Sequence, residues 1–123
     1  MSFRVLVADD SGTMRKIIVR CLNSLGFNDV TEAGNGDEAI HLAHQSHFDL
    51  VLTDWNMPGK SGLDVVQFIR AGGSTVPVIM VTTESERRQV LAAITAGVTD
   101  YLVKPFTADA LKAKLEKVLT PCG

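Results

Sequence analysis

Four short apolar runs in this chain each stop on a polar residue of a particular chemical type. Arg4-Val5-Leu6-Val7-Ala8 stops at Asp9-Asp10, and Leu50-Val51-Leu52-Thr53 stops at Asp54. Val76 through Val81 stops at Thr82-Thr83, and Tyr101-Leu102-Val103 stops at Lys104-Pro105. The runs are continuously apolar instead of alternating, as strands are when both faces of their sheet are covered. Asp29 to Ala33 reads as a fifth, more polar strand before the turn Gly34-Asn35-Gly36. Helical spacing fills the intervals. Ser11-Gly12-Thr13 opens a helix through Leu25, with Ile17, Ile18, Cys21, Leu22 and Leu25 recurring along it and Gly26 as its stop. Further helices are predicted over Asp37 to Gln45, about Ser61 to Arg70, about Ser85 to Ala96 and about Ala108 to Leu119. Their apolar positions are Ala39, Ile40 and Ala43; Leu63, Val66, Phe68 and Ile69; Val90, Ala93 and Ile94; and Leu111, Leu115, Val118 and Leu119. Strand and helix alternate throughout. That is an α/β fold, a doubly wound parallel sheet with helices on both faces.

Composition narrows the class. At 123 residues, 46% hydrophobic and 21% charged, with a formal net charge of −2, the chain reads as one ordinary globular domain. There is no basic patch of the kind that binds nucleic acid, and no apolar run approaches the roughly 20 residues of a membrane helix. The N-terminus lacks a secretory signal pattern. Cys21 and Cys122 are too few for a disulfide framework, so a reducing, cytoplasmic setting is expected.

In a parallel sheet all strands point the same way, so Asp9, Asp10, Asp54, Thr82 and Lys104 collect at one rim. Ligands bind such sheets outside the carboxyl ends of the strands, where the winding reverses. If the first and third strands are neighbours there, three carboxylates meet. Each pair about 5 Å apart costs on the order of 3 kcal/mol at an effective dielectric near 20. Either some are protonated or a cation joins them. Mg²⁺ suits the second case, because it accepts one or two carboxylates and keeps sites for water and phosphate oxygens. Three carboxylates, Mg²⁺ and protonated Lys104 sum to zero; an acyl phosphate on Asp54 leaves about −1, which favours donors such as the Thr82 hydroxyl.

Each residue alone has an ordinary explanation. Asp10 or Ser11 caps a helix, Asp54 before Pro58-Gly59 belongs to a turn, Thr82 ends a strand, and Lys104 is a solvated charge. Those explanations do not bring all four strand-end groups to one edge in chain order.

Asp9-Asp10, Asp54, Thr82 and Lys104-Pro105-Phe106 resemble the receiver domain of two-component response regulators, over the whole chain with nothing left for an output domain. Asp54-Trp55-Asn56-Met57-Pro58-Gly59, Met80-Val81-Thr82 and Tyr101 to Thr107 are most similar to the single-domain chemotaxis members. The resemblance implies a flavodoxin-like sheet in the order 2-1-3-4-5, with Asp54 accepting a phosphoryl group from a histidine kinase. It implies Mg²⁺ held by Asp10, Asp54 and the Asn56 carbonyl, with Asp9 acting through water. Lys104 would pair with phosphoryl oxygens, next to a cis bond to Pro105. Thr82 would move toward the phosphoryl group and Tyr101 would turn inward behind it. The face of the fourth helix, fifth strand and fifth helix would bind a partner. For chemotaxis members that means a flagellar motor switch protein, and a phosphatase besides. Asn56 and Glu84 stand where the family tunes self-dephosphorylation, and this pair implies rapid decay. A monomer that assists its own phosphorylation is expected, not an enzyme acting on other substrates. Two departures stand out: Ser11-Gly12 replaces a bulkier residue and Ser, and Thr83 stands where Ala is frequent.

Other readings stay open at this point. The domain can serve another two-component pathway, or belong to a larger regulator with DNA-binding or enzymatic output. A phosphatase of the haloacid dehalogenase type would use Asp9 as nucleophile, but wants a second Asp at Ser11 and room for a cap domain. Gly34-Asn35-Gly36 lacks the third glycine of a nucleotide fingerprint. His41, His44 and His47 have helical spacing for a metal but no fourth ligand.

Overall fold

The computed structural model describes residues 3–83 and 87–119. In chain order it runs β1 (Arg4–Ala8), α1 (Gly12–Ser24), β2 (Asp29–Ala33), α2 (Gly36–Gln45), β3 (Leu50–Thr53), α3 (Gly62–Ala71), β4 (Val78–Thr82), α4 (Arg87–Ala96), β5 (Asp100–Val103) and α5 (Ala108–Leu119). The five strands form one parallel sheet in the order β2-β1-β3-β4-β5. No described helix is long and apolar enough to cross a membrane.

The period-two geometry of strands divides the core into two layers. Leu6, Ala8, Val51, Val78, Met80 and Tyr101 face the α2, α3 and α4 side, where Ala39, Val65, Val66, Ile69 and Ala93 meet them. Val5, Val7, Leu50, Leu52, Ile79, Val81 and Leu102 face α1 and α5, against Ile18, Leu22, Leu111 and Leu115. β1, β3 and β4 are buried almost throughout, whereas the edge strand β2 is buried only at Ala33. Burial on both faces is why the three central runs carry no alternation.

Some helix positions differ from the sequence reading. Ile94 is exposed, not inward. α4 touches the core through the narrow stripe Val90, Ala93 and Ala96, and Ile94 lies one residue, about 100°, off it. Ile17 and Phe68 are likewise exposed, each rotated away from the buried Ile18 and Ile69. Phe68 instead meets the His44 ring edge-on at 6.2 Å. β4 begins at Val78, two residues later than the apolar run. Pro77 has no N–H to pair, although its carbonyl still accepts from Val51 N at 2.9 Å. The predicted start of the fourth helix at Ser85 lies outside the described residues.

Two polar clamps brace the lower and outer edges. Arg70, at the end of α3, donates to the carbonyls of Gly97 at 3.0 Å, Ser74 at 3.1 Å and Val76 at 2.7 Å. It ties the α3–β4 and α4–β5 connections together. Asp100, opening β5, accepts from Tyr101 N at 2.8 Å and from Lys114 of α5 at 3.0 Å, with Lys117 at 3.6 Å. Burial pushes the Asp100 carboxyl up, but the Tyr101 amide, the Lys114 hydrogen bond and the two lysine charges outweigh it and hold the pKa below its usual 3.8. A depressed carboxyl contributes stability above its unfolded pKa and loses it as pH falls through the folded one. Asp100→Asn is therefore expected to be less stable than the parent at neutral pH, with the gap closing below about pH 4. Urea unfolding at several pH values checks this; a gap that is unchanged at pH 3 contradicts it.

Candidate functional site at the carboxyl edge of the sheet

The polar residues that end the strands are held by the sheet's own ladder, continued one residue past each strand. Asp9 N donates to Ala33 O at 3.1 Å, Asp54 N to Ala8 O at 2.8 Å, and Lys104 N to Thr82 O at 2.8 Å. The side chains at these three positions are thus fixed by backbone pairing and not by loop conformation. Gly62, the first residue of α3, lets the β3–α3 loop fold back tightly. Its amide donates to Trp55 O at 2.8 Å, and a Cβ there would overlap the Asp54 carbonyl oxygen. Ser61 caps α3 in a reciprocal capping box with Asp64.

The structure brings Asp9, Asp10 and Asp54 together, with one carboxylate oxygen of each within 4.8 Å of the others. Lys104 completes the group. Its Nζ lies 2.6 Å from Asp9 Oδ2 and 3.2 Å from Asp54 Oδ2. Asp54 Oδ1 accepts from Trp55 N at 2.7 Å, and Asp9 Oδ1 from Ser11 N at 2.9 Å. Asp9 and Asp54 are buried, at 1% and 8% exposure, while Asp10 faces solvent. Burial pushes the Lys104 ammonium down, but the Asp9 hydrogen bond and the charges of Asp54 and Asp9 prevail, so its pKa lies above the usual 10.5. A raised lysine holds its stabilising charge below its unfolded pKa and loses it only as pH rises through the folded value. At neutral pH the ammonium is present throughout.

The donor set fits a hard divalent cation. All three donors are carboxylate oxygens, and the most exposed one opens to water, as Mg²⁺ with a partly retained hydration shell requires. Among the described residues this is the one group of three or more acidic, His or Cys side chains arranged for a metal. The histidines are not so arranged: His47, past the end of α2, lies 3.2 Å from Asp49 and His44 meets Phe68.

The remaining expected residues are spread around the cluster. Thr82 is fully buried at the end of β4. Tyr101 pairs with Met80 in the β4–β5 register, on the same sheet face as Thr82. Its ring is already packed into the core, at 9% exposure. Asn56 is exposed in the loop after Asp54, and Glu84 lies outside the described residues. The Lys104–Pro105 bond is cis. Sequence reasoning missed Arg15, whose Nη1 donates to the Asp9 carbonyl at 2.6 Å and whose Nε donates to Glu32 at 3.1 Å.

Comparison with known proteins decides the family. Residues 5–116 match the model of the response regulator receiver domain. The chain belongs to the response regulator receiver family. This receiver is 46% identical over 117 residues to the chemotaxis protein CheY of Pseudomonas aeruginosa, covering 94% of each chain. It is 48% identical to CheY1 of Helicobacter pylori, covering 94% of the receiver and 96% of that protein. Its fold matches the structure of CheY4 of Vibrio cholerae with a TM-score of 0.88 at 32% identity, over 96% and 99% of the two chains. A Francisella response regulator receiver domain matches with a TM-score of 0.86 at 30% identity, over 94% of each.

Proposed function

We propose that this single domain, spanning residues 1–123, is a phosphorylation-activated signalling switch that takes a phosphoryl group onto Asp54 from a histidine kinase. The observation that carries the reading is one buried carboxylate, Asp54, hydrogen-bonded to a partly buried ammonium and converging with two further acids at the carboxyl edge of the sheet. Asp9, Asp10, Asp54 and the Asn56 carbonyl would hold Mg²⁺, which supplies charge neutralisation at the phosphoryl oxygens. A carboxylate oxygen of Asp54 attacks phosphorus, and the bond from phosphorus to the donor's imidazole nitrogen breaks, its electron pair leaving with the imidazole. Lys104, now facing a phosphoryl group instead of the bare Asp54 carboxylate, stays charged and pairs with the new oxygens. The buried Thr82 hydroxyl is the donor nearest in the sheet's order to answer the added negative charge, and Tyr101, already packed into the core, stands behind it on the same face.

Chemotaxis is the pathway that the naming of the relatives supports. Leu91 at 52%, Ile94 at 54% and Val103 at 39% exposure leave apolar surface on the α4–β5 face, suited to a protein partner such as a flagellar motor switch component. Asn56 and Glu84 would set the rate of self-dephosphorylation, and a phosphatase would hasten it.

Trp55 is the one tryptophan of the chain and adjoins Asp54. Its fluorescence is expected to change on adding Mg²⁺ and again on adding acetyl phosphate. Asp54→Asn is expected to lose the second change. A variant that keeps the response to the donor refutes the acceptor assignment.

A further inference from the structure

The geometry points to Arg15 as a positioning residue for the metal-binding acids, acting through the Asp9–Asp10 peptide. This inference rests on the Mg²⁺ site of the proposed function and adds a residue to it.

Asp10 is the exposed member of the acidic trio, so packing does little to fix its carboxylate. What orients it is the backbone on either side. The peptide plane entering Asp10 is pinned at its carbonyl, Asp9 O, by Arg15 Nη1 at 2.6 Å. The amide leaving it, Ser11 N, is pinned by Asp9 Oδ1 at 2.9 Å. Arg15 is in turn anchored to β2 by the Nε bond to Glu32 at 3.1 Å. The guanidinium therefore bridges α1, the β1 end and β2 with its planar fork, which a lysine cannot reproduce.

Two glycines flank it, at distances where a Cβ would make ordinary contact. A Cβ at Gly12 would stand 3.6 Å from Nη2, and one at Gly34 would stand 3.5 Å from Nη1. The guanidinium lies against bare backbone on both sides.

The sign of the effect separates positioning from simple charge. A cation beside three carboxylates opposes a second cation, so by Coulomb's law alone its removal tightens Mg²⁺ binding. Positioning gives the opposite sign, because groups that orient metal ligands are commonly worth 10-fold or more in affinity.

The test is titration of the full chain with Mg²⁺ alone, by calorimetry and by Trp55 fluorescence, with circular dichroism as the folding control. Arg15→Ala is expected to weaken Mg²⁺ binding about 10-fold. Arg15→Lys keeps the charge, loses the fork and is expected to weaken it as well, by less. Glu32→Ala removes only the anchor and is expected to have the smallest effect. Binding by either folded Arg15 variant as tight as the parent's, or tighter, overturns the positioning role while leaving the metal site intact. A parent chain with no saturable response to Mg²⁺ overturns both that role and the site beneath it.

Discussion

Lys104→Met is expected to lower the stability of the Mg²⁺-free domain by about 3 kcal/mol, the lower end of what removing one partner of a buried ion pair costs. Lys104 Nζ is the counter-charge to both Asp9, at 2.6 Å, and Asp54, at 3.2 Å. Without it, two buried carboxylates face each other and the exposed Asp10. Mg²⁺ substitutes for the lost ammonium charge, so the stability of the variant should rise more steeply with Mg²⁺ than that of the parent. Urea unfolding with and without Mg²⁺ checks both statements. A variant as stable as the parent in EDTA shows that the acids were not sharing the lysine.

Gly62→Val is expected to cost at least 3 kcal/mol and to impair the response to phosphodonor together with stability. Its Cβ would overlap the Asp54 carbonyl oxygen and press on Trp55 Cα. Overpacking usually costs about 1–3 kcal/mol where side chains can yield. Here the obstacle is backbone on a strand end pinned to Ala8 O, so relief must come from moving α3 or the acceptor loop. Gly72→Ala is the matched control. A Cβ there meets nothing closer than 3.5 Å, and a shift within about 0.5 kcal/mol is expected. Equal losses at the two sites would show that glycine content, not the close approach beneath Asp54, is responsible.

Both effects concern features that the sequence reveals unequally. The doubly wound sheet was legible because β1, β3 and β4 are buried on both faces and so lack alternation. The gathering of Asp9, Asp10, Asp54 and Lys104 was legible because parallel strands share one carboxyl edge. Strand order was not derivable from the runs themselves and came with the family resemblance. Helix faces were only partly legible: Ile94 and Ile17 are apolar by type and exposed by rotation, since α4 and α1 contact the sheet through stripes narrower than their apolar content. Arg15 and Arg70 were invisible for another reason. An arginine on a helix reads as a solvated charge, and only the fold shows that carbonyls from distant segments, Asp9 in one case and Gly97 and Val76 in the other, point at its guanidinium. Lys104 stood out by its position at a strand end, but that it bonds Asp9 more closely than Asp54 is a tertiary fact.

The most direct measurement is the location of the phosphoryl group. The chain is incubated with Mg²⁺ and acetyl phosphate, the acyl phosphate is trapped by borohydride reduction, and peptides are sequenced by mass spectrometry. Modification at Asp54, absent in Asp54→Asn and in EDTA, is the expected result. A label on Asp9, Asp10 or any other side chain, or one that forms equally well without divalent metal, contradicts it.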